Sequence, residues 1–173
     1  MRAIERREAI VVSLTKSSQA ISASQLAKEL NVSRQIIVGD VALLRAEGMD
    51  ILATPRGYII PKASIEERFI GQIACQHTEK EMREELYTIV DYGGEIVNVI
   101  VEHALYGELI GQLTISSRSE VDDFFVKMSE NQALPLSHLT NGIHLHTIAC
   151  KDKKTFLKIK AELTKLGILY QNE

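Results

Sequence analysis

Apolar residues Ile4, Ile10, Val11 and Leu14 recur at helical spacing among Arg6, Arg7 and Glu8, which predicts a helix over Ala3 to about Leu14 with a basic outer face. Ser22 followed three positions later by Gln25 forms a capping box for a short helix that buries Leu26, Ala27 and Leu30, and Asn31 suits the left-handed turn that ends it. Ser33 caps the next helix, where Ile37, Val41 and Leu44 share one stripe and Gly48 stops the run. The stretch from Ile51 to Ile60, with Pro55 and Gly57 at its middle, reads as a hairpin. Two helices joined by a three-residue turn and followed by a hairpin have the order of a winged helix-turn-helix, whose second helix offers its first residues to base edges in the major groove.

A polar break at Pro61-Lys62-Ala63-Ser64 predicts a boundary between residues 1–62 and a second domain over 65–173. Arg68 to Gln76 fits a strand, followed by His77 and by a Thr78/Glu81 capping box that opens a helix to about Asp91, with Gly93-Gly94 ending it. Glu95 to Glu102 reads as a mostly buried strand, and Glu108 to Leu113 as a short amphipathic piece. Ser116 or Ser117 caps a helix to about Met128, Ile143 to Cys150 is a strand, and Asp152 opens a helix to Leu166 that Gly167 terminates. Ile168 to Gln171 suggests a short closing strand. The expected fold is α+β, an N-terminal winged helix-turn-helix followed by an α/β-sandwich effector domain.

Charge separates the two parts. Residues 1–62 hold nine Lys and Arg against six Asp and Glu, net +3, whereas residues 63–173 are net -6, so a basic module leads an acidic one. Two cysteines, Cys75 and Cys150, each ending an apolar stretch, are too few for a disulfide framework and fit small core residues in a reducing compartment. The longest charge-free run, Asn131 to Cys150, carries Pro135, two asparagines and three histidines and cannot span a bilayer. A cytoplasmic protein without a membrane partner is expected.

Within that frame, Ile143-His144-Leu145-His146-Thr147-Ile148 is the chemically richest stretch. Period-two alternation sends both imidazoles to one face, with the leucine and isoleucines assigned to the core. His77 at a strand end can supply a third metal ligand, and either Glu81 or Glu85, which share a helix face, a fourth. Imidazole and carboxylate suit zinc, nickel, cobalt or iron. In the N-terminal part, Ser33, Arg34, Gln35 and Val38 lie on the outward face with Gly39 and Ala42, small enough to let the helix sink into the groove; Arg56 is placed at the wing tip. No His-Glu-x-x-His, phosphate-binding Gly-rich loop or nucleophile with its base is present, so a sensor is expected rather than an enzyme. A metal-sensing regulator and a metalloenzyme on a DNA-binding arm are the alternatives.

Ser33-Arg34-Gln35 and Leu43-Leu44-Arg45-Ala46-Glu47-Gly48 resemble the winged helix of biotin-repressor type regulators over about residues 3 to 62. His77 with Glu85, the run Val101 to Gly107, and Leu136 to Ile148 resemble the three-histidine small-molecule-binding domain. Joined, they are similar to the niacin-responsive transcriptional repressor family over nearly the whole chain. The resemblance implies repression of niacin-uptake or NAD-synthesis genes with nicotinic acid as corepressor, and because a lone winged helix reads too few base pairs for a specific operator, a homodimer on double-stranded operator DNA is expected. It implies a divalent metal, nickel or zinc, on His77, Glu85, His144 and His146. It also makes His103, Tyr106 and Arg118 candidates for contacting the effector: Arg118 at a helix start for the carboxylate, Tyr106 for stacking on the ring. Where the family has a proline after its middle histidine, this chain has Ala104.

Overall fold

Three helices and a hairpin open the chain in the computed structural model, which describes residues 2–61 and 68–171. Helix α1 is Ala3–Lys16, α2 Ala23–Leu30 and α3 Arg34–Ala46; strands β1 (Leu52–Thr54) and β2 (Gly57–Ile59) form the antiparallel hairpin. Ser22 Oγ accepts from the Gln25 amide at 3.1 Å, and Ser33 Oγ from the Ile36 amide at 3.3 Å, so both N-caps bind the orphan donors of their first turns. Asn31 takes φ 53 and ψ 49 between α2 and α3, the left-handed conformation that its short amide side chain tolerates. The core joins Ile10 and Leu14 of α1, Leu26 of α2, Ile37, Val41 and Leu44 of α3, and Ile51. Asp40 is buried against α1, with Arg6 Nε at 2.5 Å.

The chain divides into two units, Met1–Ser64 and Ile65–Glu173. The sequence-predicted break runs past Pro61 into residues 62–67, outside the described residues. In the second unit, β3 (Phe69–Gln76), β4 (Glu95–His103), β5 (Gly107–Ile115) and β6 (Ile143–Cys150) form one antiparallel sheet in the order β3-β6-β4-β5. Helices α4 (Glu79–Asp91), α5 (Arg118–Glu130) and α6 (Lys153–Lys165) supply Leu86, Ile89, Val121, Phe156, Ile159 and Leu163 to a core with Ile73, Cys75, Ile96, Leu113, Ile148 and Cys150 of the sheet. This is the two-layer α+β sandwich. An isolated bridge between Cys75 and Leu169 extends the sheet beyond β3.

Two expectations change. Residues 108–113 belong to strand β5 rather than to an amphipathic piece; a register shift opposite Ile96–Asn98 and the left-handed Thr114 (φ 54) break the alternation that would have marked a strand. His144 and His146 share their face with Ile148 and Cys150, which pack under the helices, while Ile143 and Leu145 have the opposite parity. The imidazoles therefore point into the core layer instead of away from it.

Candidate metal centre and nucleic-acid interface

His77 follows β3 directly, and Thr78 caps α4. Glu81 turns back to this cap: its Oε2 accepts from the Thr78 amide at 2.9 Å and from Thr78 Oγ1 at 3.0 Å. That commitment separates the two acidic candidates, because Glu85, one turn later, points inward and is fully buried. Gly142, at φ +88, lets the chain entering β6 lie on the His77 backbone, where a Cβ would overlap the His77 carbonyl oxygen. His144 and His146 then project toward Glu85 from β6.

The four side chains are 0–4% exposed. Glu85 Oε2 lies 2.5 Å from His77 Nε2, and Oε1 lies 3.0 Å from His144 Nε2 and 3.4 Å from His146 Nε2. The other nitrogen of every ring meets a backbone carbonyl: His77 Nδ1 that of Thr78 at 2.8 Å, His144 Nδ1 that of Gly142 at 2.8 Å, and His146 Nδ1 that of Asn98 at 2.9 Å. The register shift at Asn98 in β4 accompanies the last contact. A carbonyl only accepts, so each Nδ1 carries a hydrogen, and a neutral ring directs its Nε2 lone pair at the carboxylate.

Three Nε2 lone pairs and a carboxylate are all acceptors, and such a cluster needs protons or a cation at its centre. The carbonyl-anchored Nδ1–H groups form the outer shell usual for metal-binding imidazoles. A tetrahedral cation with bonds of about 2.0–2.1 Å spaces its ligands by roughly 3.3 Å, close to the contacts at 3.0 and 3.4 Å, whereas the His77–Glu85 contact at 2.5 Å is that of a short hydrogen bond. Burial alone would raise the Glu85 carboxyl, but His146, His144 and His77 together hold it well below the usual carboxylate value. Burial would likewise lower His77 and His146, yet the Glu85 charge carries both above the ordinary imidazole value.

Cys75, which the sequence suggested only as core, belongs to the same neighbourhood. Its Sγ and ligand atoms of Glu85 and His144 lie within 4.8 Å of one another, and the three residues could hold a metal ion. Burial, then the Glu85 charge, push its thiol far up. The signal available in the sequence was parity, since Cys75 and His77 are two positions apart on one strand-like run.

The candidates for effector contact lie elsewhere. His103 Nδ1 accepts from the amides of Leu105 at 3.1 Å and Tyr106 at 3.3 Å, holding the β4–β5 turn, and its ring lies 5.1 Å from that of Tyr106, which is 70% exposed. Arg118 is paired with Asp91 at 2.7 and 2.5 Å and sits 4.4 Å over the Tyr87 ring. Among the described residues, none of the three has a hydrogen bond, ion pair or ring contact with the histidine cluster. A cleft of about 480 Å³ does reach His144, with Glu102, Glu108, Thr140 and Leu145 in its walls.

In the first unit, Arg34 and Gln35 are exposed on the opening turn of α3, with Gly39 and Ala42 exposed farther along. Ser33 is exposed but commits its Oγ to the cap. Val38 is half-buried against the core, and Arg56, in the β1–β2 turn, is half-buried instead of projecting from a wing tip. The hairpin is drawn back to the body by Ile21, whose amide and carbonyl both bond Tyr58 at 2.9 Å.

Comparison with known proteins agrees with this division. Residues 6–59 match an HTH domain, and residues 70–172 match the 3H domain. The chain is 44% identical over 167 residues to the probable transcription repressor NiaR of Thermotoga maritima, covering 96% of this chain and 94% of that protein. It is 36% identical over 169 residues to the transcription repressor NadR of Bacillus subtilis, again covering 96% and 94%.

Proposed function

The chain belongs to the family of transcription repressors that join an HTH domain to a 3H domain, and from that premise we propose that it represses transcription in response to nicotinic acid, with a nickel or zinc ion held by His77, Glu85, His144 and His146. Residues 1–62 read operator DNA through Arg34 and Gln35, with Ser33, Val38 and Arg56 beside them, and residues 65–173 hold the metal and the effector. The genes controlled are those of niacin uptake or NAD synthesis, in the cytoplasm. One winged helix reads too few base pairs for a specific operator, so the repressor acts as a homodimer on two half-sites.

The observation that carries this reading is the convergence of three Nε2 atoms and one buried carboxylate, each Nε2 held in place by its own Nδ1–H···O=C bond. A cation bound there supplies a Lewis-acidic position suited to a pyridine nitrogen or carboxylate. The protein's part is to keep the imidazoles oriented and their surroundings dry, and Glu85 offsets one positive charge of the ion. A hundredfold change in operator occupancy requires the effector to favour the DNA-competent arrangement by about 2.7 kcal/mol.

Near-complete burial of the four side chains favours a second reading, in which the metal itself is the signal. Fluorescence anisotropy on the chain's own upstream DNA separates the two. Metal-loaded protein that tightens on DNA only with nicotinic acid supports the corepressor reading. A response to metal alone supports the second, and an isotherm moved by neither overturns both.

A further inference from the structure

We propose that Cys75 is a further ligand of this centre, a sulfur donor that biases it toward zinc and cobalt over harder cations; the inference rests on the metal reading above. Cys75 stands directly opposite His144 in the β3–β6 register, and Ile73 opposite His146, so Cys75 shares the imidazole face of the sheet. It is 0% exposed, and its Sγ is within 4.8 Å of ligand atoms of Glu85 and His144. The strand is held on both sides at this point: β6 pairs along one edge, and on the other the Gln76 amide bonds the Ile168 carbonyl while the Tyr170 amide bonds the Ala74 carbonyl, both at 2.9 Å. The sulfur is therefore fixed next to the acceptor cluster and cannot swing away with a loose edge.

The chain's other cysteine provides an internal contrast. Cys150 is also buried on the helix side of the sheet, but its Sγ lies 3.2 Å from the Asp152 carbonyl at the far end of β6, and it has no place in the cluster. When a cation binds, the Cys75 sulfur–metal bond replaces the S–H bond and the proton leaves to solvent. Soft sulfur beside imidazole and carboxylate narrows the range of metals that the oxygen and nitrogen donors alone would accept.

Zinc K-edge absorption spectroscopy on the full chain tests this, with zinc as the only added ligand. The expected wild-type result is a sulfur scatterer at about 2.3 Å beside nitrogen and oxygen at about 2.0–2.1 Å. Cys75→Ser should lose the sulfur shell and roughly tenfold or more in zinc affinity, whereas Cys150→Ser should keep both. Zinc bound with nitrogen and oxygen alone in the wild type overturns the role of Cys75 and leaves the four-residue centre standing. Failure of the wild type to bind zinc, nickel or cobalt overturns the centre itself. The wild-type spectrum decides the matter even where a variant fails to fold.

Discussion

Glu85 Oε1 lies 3.0 Å from His144 Nε2 across 59 positions of sequence, so one carboxylate ties helix α4 to strand β6. Replacing it with an amide changes the two candidate occupants of the centre in opposite ways. A glutamine N–H can donate to an Nε2, satisfying the metal-free cluster, but a neutral amide is a poor partner for a dication. Glu85→Gln is therefore expected to stay folded and to lose at least ~100-fold in nickel or zinc affinity by calorimetry. Wild-type affinity in this variant would remove Glu85 from the ligand set.

A metal held as proposed would compete with protons for the same Nε2 atoms. The raised His77 and His146 contribute stability to the metal-free domain that is full below the ordinary imidazole value of 6.5 and is lost as pH rises through their raised values. The depressed Glu85 contributes stability present above the ordinary 4.5 and lost as pH falls through its lowered value. Glu81 and the Cys75 thiol are the other titratable groups facing the cluster. The metal-free domain should thus be most stable between about pH 4.5 and 6.5, whereas the rise in Tm on adding nickel should grow from pH 5 to about pH 8. A pH-independent rise would mean that the metal does not displace protons from these imidazoles.

Local signals made the helix ends legible in the sequence. Ser22, Ser33, Thr78 and Asp152 each precede a helix that the structure starts at the next residue. The candidate site was legible in part: the His144/His146 pair and His77 could be named, Glu81 and Glu85 share a helix face, and Glu85 was chosen only through the resemblance, although the Thr78/Glu81 capping box read in the sequence is the contact that commits Glu81 elsewhere. Which face of β6 is buried was hidden too, since Leu145 and Ile148 have opposite parity and both are apolar. Strand β5 escaped because its bulge disrupts period two, and Cys75 was not singled out although its parity with His77 was readable, because its place opposite His144 follows only from cross-strand register.

Arg34 and Gln35 occupy the exposed first turn of α3, where a recognition helix meets base edges. Arg34→Ala is expected to cost roughly 1–3 kcal/mol of operator binding while changing affinity for random-sequence DNA far less. Titrating both DNAs at matched salt measures the difference. An equal loss on both would reassign Arg34 to a phosphate contact.

Gly57 lies at φ +134 with the Ser22 amide nitrogen 2.6 Å from where a Cβ would be. Because that neighbour is backbone, it cannot rotate aside. Gly57→Val should push the hairpin off Ile21 and destabilise the N-terminal unit by roughly 1–3 kcal/mol, without altering metal binding. Calorimetry on the variant, with and without nickel, checks both halves, and unchanged unfolding would show that the hairpin does not depend on this contact.

Glu102 and Glu108 are direct partners in the β4–β5 register and both line the cleft that reaches His144. Like charges placed opposite each other repel, and together they oppose the entry of an anion. An effector such as nicotinate that uses this cleft binds against their field, on the sheet face opposite the imidazoles. Glu108→Gln should then tighten nicotinic acid severalfold, by up to ~1 kcal/mol for a solvent-screened charge, and leave the neutral amide analogue unaffected. Calorimetric titration of both ligands into nickel-loaded protein gives the comparison, and identical nicotinic acid affinity in variant and wild type would place the effector away from this cleft.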